Sequence, residues 1–395
     1  MISFDEAFDR VRSVAGPLGT ETVPIAEAAG RVLAAPVIAE VDAPRSDVSA
    51  MDGYAVRDED LEQFPALLQL AGGSFAGSGW EGSVTSGTCV RIFTGAPVPH
   101  GADRVVIQEN VRSSGNAAVI DDHPGSARHI RKRGSDFVEG EELLPAGRKL
   151  DPRAIVAAAG ADVAELEVYC RPRLHILSTG DELAEPGTAR TRVDAIPESV
   201  SFGVAAFAGQ WGAECFGTTR LRDDLRRMEE IARAVLKDAD VVVVTGGASV
   251  GEKDFAKAMF APLGLDLVFS KVSIKPGKPV WLGRVASSFV IGLPGNPTSA
   301  LVTARLFLAP LLAGMSGQPI EGALSWRAVP LASSLGACGP RETFHRARFV
   351  NGAAEILSFQ DSSAQKALAG ADLLVRQCAN GPAVAAGGSV EVLDF

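Results

Sequence analysis

Residues 241–254 read VVVVTGGASVGEKD, and this stretch decides the fold of the central part of the chain. Four consecutive valines are typical of a strand that is covered on both faces of a parallel sheet, because neither face is left to solvent. The glycines after them permit a tight turn, and acidic residues follow. We therefore predict a central parallel strand with a loop suited to ligand binding at its carboxyl end.

Similar strand-like runs lie on either side of the valines, at residues 174–177 and 289–293. Between the first run and the valines we predict one helix over 200–210 and a stronger one over 223–237, where apolar residues recur at helical spacing. Strands and helices thus alternate over residues 171–318. This order predicts a doubly wound α/β domain.

The flanking regions have different patterns, so the predicted fold class is multi-domain α/β plus β. Helical periodicity starts the chain and returns near residue 152, which predicts a discontinuous helical base of residues 1–45 and 135–170. Short β-rich pieces between Gly and Pro turns predict a β-rich insert over 46–134. Alternating, glycine-rich segments predict a small C-terminal β-barrel over 319–395.

Composition excludes several classes of protein. The 395 residues include 38 Lys and Arg against 48 Asp and Glu, and the resulting net charge of −10 disfavours nucleic acid and anionic membranes as partners. Five scattered cysteines without a Cys-x-x-Cys pair favour a reducing cytoplasm. The apolar residues 300–315 are interrupted by Arg305 and Pro310, so we expect no transmembrane segment.

Three large enzyme classes are also excluded by their missing motifs. The sequence has no G-x-S-x-G elbow, no P-loop and no His-Glu-x-x-His, so serine hydrolase, P-loop NTPase and zincin interpretations fail. The five histidines show no metal-ligand spacing, and we assign none of them to a site.

The loops after the three predicted strands are where open parallel sheets bind ligands. They contain Ser178-Thr179-Gly180-Asp181-Glu182, Gly246-Gly247 with Ser249, Gly251 and Asp254, and Pro294-Gly295-Asn296-Pro297. Backbone N–H groups in such turns bind phosphate, while Glu182 and Asp254 are of the type that holds Mg²⁺. Ordinary turn geometry explains each loop alone equally well. Together the loops predict a metal-assisted phosphate site, and Asp223 ranks lower because helix capping also explains it.

A stretch without acidic residues lies between Asp266 and Glu321 and carries a charge of +5. It contains Lys275 and Lys278 in the loop Lys-Pro-Gly-Lys-Pro, where proline and glycine limit the entropy lost on fixing the lysines around an anion. We predict an oxyanion site here, with a solvated basic loop as the alternative. The basic run at 128–133 is interpreted as a solvated edge.

Six motifs in order are SAMDGYA (49–55), TGAPVPHGAD (94–103), STGDEL (178–183), GGASVGEKD (246–254), KPGKP (275–279) and GLPGNP (292–297). In this order they resemble the MoeA-like molybdopterin molybdotransferase family, which includes the gephyrin E domain. The resemblance covers nearly the whole chain. It implies four subdomains and an elongated homodimer, whose active site lies between the α/β domain of one subunit and parts of its partner.

The resemblance also implies a reaction of molybdenum cofactor biosynthesis. Adenylylated molybdopterin and molybdate react, AMP leaves and molybdenum enters the dithiolene, with Mg²⁺ on Glu182 and Asp254. The implied catalytic residues are Asp52, Thr94, Asp136, Glu182, Asp223, Asp254, Lys275 and Lys278. The expected substrate-binding residues are Ser178, Thr179, Gly180, Asp181, Gly246, Gly247, Ser249, Gly251, Pro294, Gly295, Asn296 and Pro297, with Arg341, Ser362 and Ser363 as additional oxyanion contacts.

The chain departs from the family at four polar places. Glu198-Ser199-Val200 replaces Asp-Ser-Asn, Val48 stands where Asn is common, Asp361 replaces a glycine, and Asp372 replaces Asn. A divergent, non-catalytic paralogue that binds or carries the molybdenum cofactor is therefore the alternative. An adenylyltransferase is a third possibility, against which the flanking domains argue. Expected protein partners are a second copy of the chain, the preceding adenylyltransferase and maturation proteins of molybdoenzymes.

Overall fold

The computed structural model describes residues 1–247 and 255–395. They divide into two compact units. The first contains Met1–Glu21, Gly30–Ala34 and Glu167–Phe395, and the second contains Thr22–Ala29 and Ala35–Leu166. The α/β and C-terminal segments therefore belong to one unit, together with the N-terminal helix.

The helices and strands of the described residues follow in chain order. The helices are α1 (Phe4–Val14), α2 (Pro152–Gly160), α3 (Val200–Gln210), α4 (Leu225–Val235), α5 (Phe255–Ala258), α6 (Pro297–Thr303), α7 (Ala309–Met315) and α8 (Gln365–Ala369). The first strands are β1 (Thr20–Pro24), β2 (Val37–Ile38), β3 (Val48–Ser49), β4 (Gly53–Val56), β5 (Ala66–Ser74), β6 (Thr88–Ile92), β7 (Arg104–Ile107), β8 (Arg112–Ser114), β9 (Ala117–Ile120), β10 (Ile130–Arg131), β11 (Glu142–Leu144) and β12 (Glu165–Tyr169). The later strands are β13 (Arg173–Thr179), β14 (Leu183–Ala184), β15 (Ile196–Pro197), β16 (Glu214–Leu221), β17 (Val241–Thr245), β18 (Asp266–Ser270), β19 (Ile274–Lys275), β20 (Trp281–Val285), β21 (Ser288–Leu293), β22 (Arg327–Pro330), β23 (Glu342–Val350), β24 (Ala353–Ile356), β25 (Leu373–Gln377) and β26 (Ser389–Asp394).

The valine run forms a central strand of the α/β sheet, as predicted. The sheet has the order β16-β13-β17-β21-β20-β18, and its first four strands are parallel. Val241 pairs with Leu174 of β13 on one side and with Phe289 of β21 on the other. The strands β20 and β18 complete the sheet in antiparallel pairs.

Helices cover both faces of this sheet. Because successive residues of a strand point to opposite sides, alternate valines enter different cores. Val241 and Val243 share a core with residues of α1, α3 and α7, whereas Val242 and Val244 share a second core with residues of α4 and α5. All four valines are fully buried. The doubly wound prediction is confirmed.

The apolar segment Pro297–Met315 is one continuous helical stretch, which corrects the expectation that Arg305 and Pro310 interrupt it. A π-helical segment, Ala304–Leu308, accommodates the missing N–H of Pro310. Arg305 donates to the carbonyl oxygens of Asp394 and Ala323 at 2.7 and 2.6 Å. By length and composition the stretch could cross a membrane, but 94% of its most apolar window is buried inside the protein.

The C-terminal strands close into the small barrel that the sequence predicts. Their order is β19-β23-β25-β26-β22, and β24 pairs with β23. A bridge between Leu331 and Ala354 connects the segment after β22 to β24, which closes the ring. The strand β19 comes from the α/β segment and pairs with β23, so that Lys275 lies opposite Thr343.

The second compact unit contains a β-rich sheet with the order β7-β4-β6-β5-β9-β8. Val105 and Val106 of β7 are both fully buried and pack into separate cores on the two faces of the sheet. Helix α2 begins with Pro152, and its N-cap Asp151 accepts a hydrogen bond from the N–H of Ala154 at 2.8 Å. Both features are standard helix-start signals.

Candidate functional site

A cavity of about 680 Å³ lies in the first unit at the carboxyl ends of β13, β17 and β21. The three loops predicted from the sequence line it. The lining residues are Thr179 at the end of β13 with Gly180 and Glu182 after it, Thr245 at the end of β17 with Gly246 and Gly247 after it, and Pro294, Gly295, Asn296 and Pro297 after β21. The structure therefore brings together residues that lie far apart in the sequence.

Close backbone approach explains the glycine in the second loop. Gly246 has a φ of +86°, and a Cβ at this position would lie 2.6 Å from the carbonyl oxygen of Thr179. A side chain is excluded on both grounds. Gly295 of the third loop approaches Gly246 in turn, because a Cβ on Gly295 would lie only 3.3 Å from the Gly246 Cα. The three loops are therefore packed closely against one another.

Two residues that the sequence predicts as substrate contacts support the loops and are absent from the cavity lining. Ser178 is buried, and its hydroxyl accepts a hydrogen bond from Thr245 Oγ1 at 3.2 Å. Asp181 accepts one from the N–H of Asp223 at 3.3 Å. The first bond joins the ends of β13 and β17, and the second joins the loops that follow β13 and β16, so both residues support the backbone around the cavity.

Asp223 lines the cavity, and its neighbour Asp224 performs the capping that the sequence left open. Asp224 is the N-cap of α4 and accepts a hydrogen bond from the N–H of Arg227 at 3.2 Å. Because Asp224 caps the helix, capping does not explain why Asp223 lies at the cavity.

The segment Glu198-Ser199-Val200 also lines the cavity, where α3 begins. Glu198 is only 6% exposed, and its carboxylate accepts hydrogen bonds from the N–H and the hydroxyl of Ser201. The departure from the family pattern therefore still satisfies the first turn of the helix. Gln365, another lining residue without a role in the sequence analysis, donates to Ser199 Oγ at 3.3 Å. Glu198 could have been identified from the sequence as an acidic residue just before a predicted helix.

The metal-binding prediction concerns Glu182 and Asp254. Glu182 lines the cavity, while Asp254, with Ser249 and Gly251, lies outside the described residues. In the described part of the chain, no three His, Cys, Asp or Glu side chains are grouped closely enough to hold a metal. A carboxylate that lines a cavity nevertheless suits Mg²⁺, which commonly takes one or two carboxylates together with phosphate and water. The donor type therefore fits.

The pairing of β19 with β23 places Lys275 and Arg341, two of the predicted oxyanion contacts, on neighbouring segments. Arg341 directly precedes β23, and its guanidinium lies 3.5 Å from the carbonyl oxygen of Ile274. Lys275 and Lys278 are exposed, and neither they nor Arg341 belong to the cavity lining; Pro279 of the same loop does. The positive stretch is not one surface patch, because Arg305 is buried in the protein core, where desolvation lowers the pKa of its guanidinium to about 10.

Asn296 and the serine pair meet at the cavity. Asn296 occupies the N-cap position of α6, but its side chain makes no capping bond, which corrects the simple capping interpretation. Its amide instead donates to Ser362 Oγ at 2.9 Å, across 66 residues of sequence. Ser363 lines the cavity. This contact joins the third loop to the C-terminal segment.

In the second unit, Asp52 and Thr94 form one constellation. The Asp52 carboxylate accepts hydrogen bonds from the Thr94 N–H at 2.7 Å and from the Thr94 hydroxyl at 2.8 Å. These two bonds, the backbone bond first, lower the pKa of Asp52 below its usual 3.8. Asp136 lies on an exposed turn, where its N–H donates to the Ala43 carbonyl at 3.0 Å.

We expect Thr94→Val to raise the pKa of Asp52, because the variant loses the hydroxyl donor and keeps the N–H donor. Since the folded-state pKa lies below 3.8, the stabilisation that Asp52 provides is present above this pH and is lost as the pH falls through the folded-state pKa. As the pH falls, the Thr94→Val variant should lose this stabilisation at a higher pH than the wild type does. NMR titration of the carboxyl carbon measures this shift, and an unchanged midpoint would contradict the assignment.

Comparisons with known proteins agree with this architecture. Residues 2–161 match the family described as the MoeA N-terminal region (domain I and II), and residues 175–314 match the probable molybdopterin binding domain. The molybdopterin molybdenumtransferase of Haemophilus influenzae is 35% identical over 354 residues, which are 89% of this chain and 86% of that protein. Molybdopterin molybdenumtransferase 2 of Mycobacterium tuberculosis is 36% identical over 347 residues, 86% of this chain and 85% of that protein. The crystal structure of the molybdopterin biosynthesis moeA protein from Pyrococcus horikoshii OT3 has a TM-score of 0.82 and 25% identity, with 100% of both chains covered.

Proposed function

The chain belongs to the molybdopterin molybdenumtransferase family, and we propose that it inserts molybdenum from molybdate into adenylylated molybdopterin, with release of AMP, in molybdenum cofactor biosynthesis. It is an enzyme of the transferase class by this membership. One observation carries the proposal. The three loops at the carboxyl ends of β13, β17 and β21 enclose one cavity in the segment that matches the molybdopterin-binding domain.

The cavity suits an anionic pterin nucleotide. The N–H groups of Gly180 and Gly246 already donate to the carbonyl oxygens of Leu221 and Leu293, at 3.3 Å each. The backbone of Gly295 in the third loop and the polar side chains of the lining would therefore hold the phosphates, as such turns do in other nucleotide sites. Glu182 and Asp254 would hold Mg²⁺, which when bound neutralises charge on the phosphoanhydride. Glu182 would hold this charge at the phosphoanhydride from which AMP leaves.

The remaining roles are part of the same proposal. Lys275 and Lys278, with Arg341 and the serine pair, hold molybdate as a tetrahedral oxyanion. Asp52, Thr94 and Asp136 act in the same reaction. The homodimer, the cytoplasmic location, the four-domain division and the protein partners named above also belong to the proposal.

The direct test follows AMP release from adenylylated molybdopterin by the purified chain. We expect release that requires both molybdate and Mg²⁺. A folded protein that releases no AMP under these conditions would overturn the proposal. Consumption of ATP with bare molybdopterin would instead identify an adenylyltransferase.

A second function, binding or carrying the cofactor without turnover, is favoured by one observation. Val200 lines the cavity where the family has an asparagine, so one polar substrate contact is replaced by an apolar one. Tight pterin binding without AMP release would support this alternative. Restoring the amide with Val200→Asn should then raise turnover.

We expect Lys275→Ala to weaken molybdate binding by about 10- to 100-fold, the range for a lost hydrogen bond to a charged group. The fold should be unchanged, because Lys275 is an exposed side chain. Isothermal titration calorimetry with molybdate measures the affinity. Lys237→Ala, which removes an exposed lysine after α4, is the matched control. Equal affinity of the two variants would remove Lys275 from the oxyanion site.

A further inference from the structure

Residues 359–363, here called the serine loop, are fixed to β23 by buried and reciprocal hydrogen bonds. Arg346 of β23 is 1% exposed, and its guanidinium donates to the carbonyl oxygens of Asp361 at 2.9 Å and Phe359 at 3.4 Å. The Gln360 side chain accepts from the Arg346 N–H at 3.0 Å and donates to the Arg346 carbonyl at 2.8 Å. The loop is therefore held in one position, and its two serines have defined partners.

The two serine hydroxyls have different hydrogen-bond partners. Ser363 donates both its N–H and its hydroxyl to one carboxylate oxygen of Asp361, at 2.8 and 2.6 Å. A serine hydroxyl has one proton, so Ser363 has none left for a bound anion. Ser362 accepts from the Asn296 amide at 2.9 Å, which leaves its own proton available for donation.

We infer that Asp361 lowers the affinity of the oxyanion site for its anion. It withholds the Ser363 hydroxyl, leaves Ser362 as the donor of the serine loop, and weakens the binding of tetrahedral dianions such as molybdate by its own charge. The inference rests on the proposed function, in which both serines lie at the oxyanion. Neither effect exists where the family has a glycine at this position.

The charge of Asp361 is present at neutral pH. The bonds from the Ser363 hydroxyl and N–H lower the pKa of the exposed Asp361 carboxylate below its usual value. Repulsion between this carboxylate and a dianion in the neighbouring site is screened by salt. Withholding of the Ser363 proton is a matter of hydrogen bonding and does not depend on salt in this way.

Two substitutions separate these effects. Asp361→Asn removes the charge but keeps an oxygen that accepts from Ser363, so molybdate binding should tighten about threefold at low ionic strength. This gain should largely disappear at about 1 M salt, where the Debye length is about 3 Å. Asp361→Ala also releases the Ser363 hydroxyl, and it should tighten binding further at every salt concentration.

The experiment titrates the full chain with sodium molybdate by calorimetry, at low and high salt. Ser363→Ala should weaken wild-type binding less than Ser362→Ala does, and it should remove the additional gain in the Asp361→Ala background, as a double-mutant cycle requires for coupled residues. Ser362→Ala should weaken binding about tenfold or more. Asp238→Asn is the matched control, because it removes an exposed carboxylate at the amino end of β17, opposite to the cavity.

The outcomes distinguish this inference from the proposed function. Unchanged molybdate affinity in Asp361→Asn and Asp361→Ala, or equal losses in the two serine variants, would overturn the role of Asp361 alone. Molybdate binding that follows the expected pattern without AMP release would overturn the enzymatic function and leave Asp361 in its role. A wild-type chain that binds no molybdate would overturn both.

Discussion

Glu182→Gln is expected to reduce molybdate-dependent AMP release by about a hundredfold or more, the range for removal of one group that stabilises charge in a transition state. The side chain lines the cavity at the carboxyl end of β13, where an anionic substrate would lie. It is exposed, so the neutral isostere should leave the melting temperature nearly unchanged. Rapid-quench measurement of AMP release, paired with thermal unfolding, separates activity from folding.

The matched control is Glu185→Gln. Glu185 lies three residues further along the chain, is exposed and is absent from the cavity lining, and its contact is a long ion pair with Arg220 at 3.9 Å. Full activity in this variant, next to a large loss in Glu182→Gln, would assign the effect to the cavity. Comparable activities of the two variants would exclude a role for the Glu182 charge.

Gly53→Ala should destabilise the second unit by at least about 2 kcal/mol, because overpacking here cannot be relieved by a side-chain rotation. Gly53 lies in β4, and a Cβ at this position would overlap the backbone carbonyl of Val106 in the neighbouring β7. The two strands would have to separate. Hydrogen exchange of peptides from β4 and β7 under increasing urea reports the change in stability.

Gly53→Ala should also displace Asp52, since this residue directly precedes Gly53 and its carbonyl accepts a hydrogen bond from the Gln108 N–H at 3.0 Å. Gly79→Ala is the control: a Cβ there meets only Pro97, at an ordinary 3.4 Å. Protection in β4 and β7 that is equal in the two variants would show that the strands tolerate a side chain at Gly53.

The sequence predicted those parts of the fold that depend on local pattern. A run of four β-branched residues is sufficient to identify β17, because few other structures bury every side chain of a short segment. The position of the cavity followed from a rule of parallel sheets, that ligands bind beyond the carboxyl ends of the strands. The three loops were therefore found without knowledge of their contacts.

The sequence could not predict what depends on packing between distant segments. Asn296 has the sequence position of a helix cap, yet its side-chain partner Ser362 lies 66 residues away, in the C-terminal segment. Ser178 has a motif position typical of a substrate contact, yet it is buried and its hydroxyl bonds to Thr245. Periodicity identified α1 but not the core that it joins, where Phe4 contacts Phe307 and Phe344 at ring distances of 5.8 and 5.1 Å.

Because β19 pairs with β23, the α/β segment and the barrel share a sheet. Lys275 is opposite Thr343, and Arg376 of β25 forms ion pairs with Asp5 and Glu342, so the N-terminal helix is attached to the barrel as well. A chain cut after residue 318 would lose the pairing strand of β19 and a wall of the aromatic core around Phe4. Sequence patterns therefore distinguish the α/β segment from the C-terminal barrel, although the two could not be separated without loss of structure.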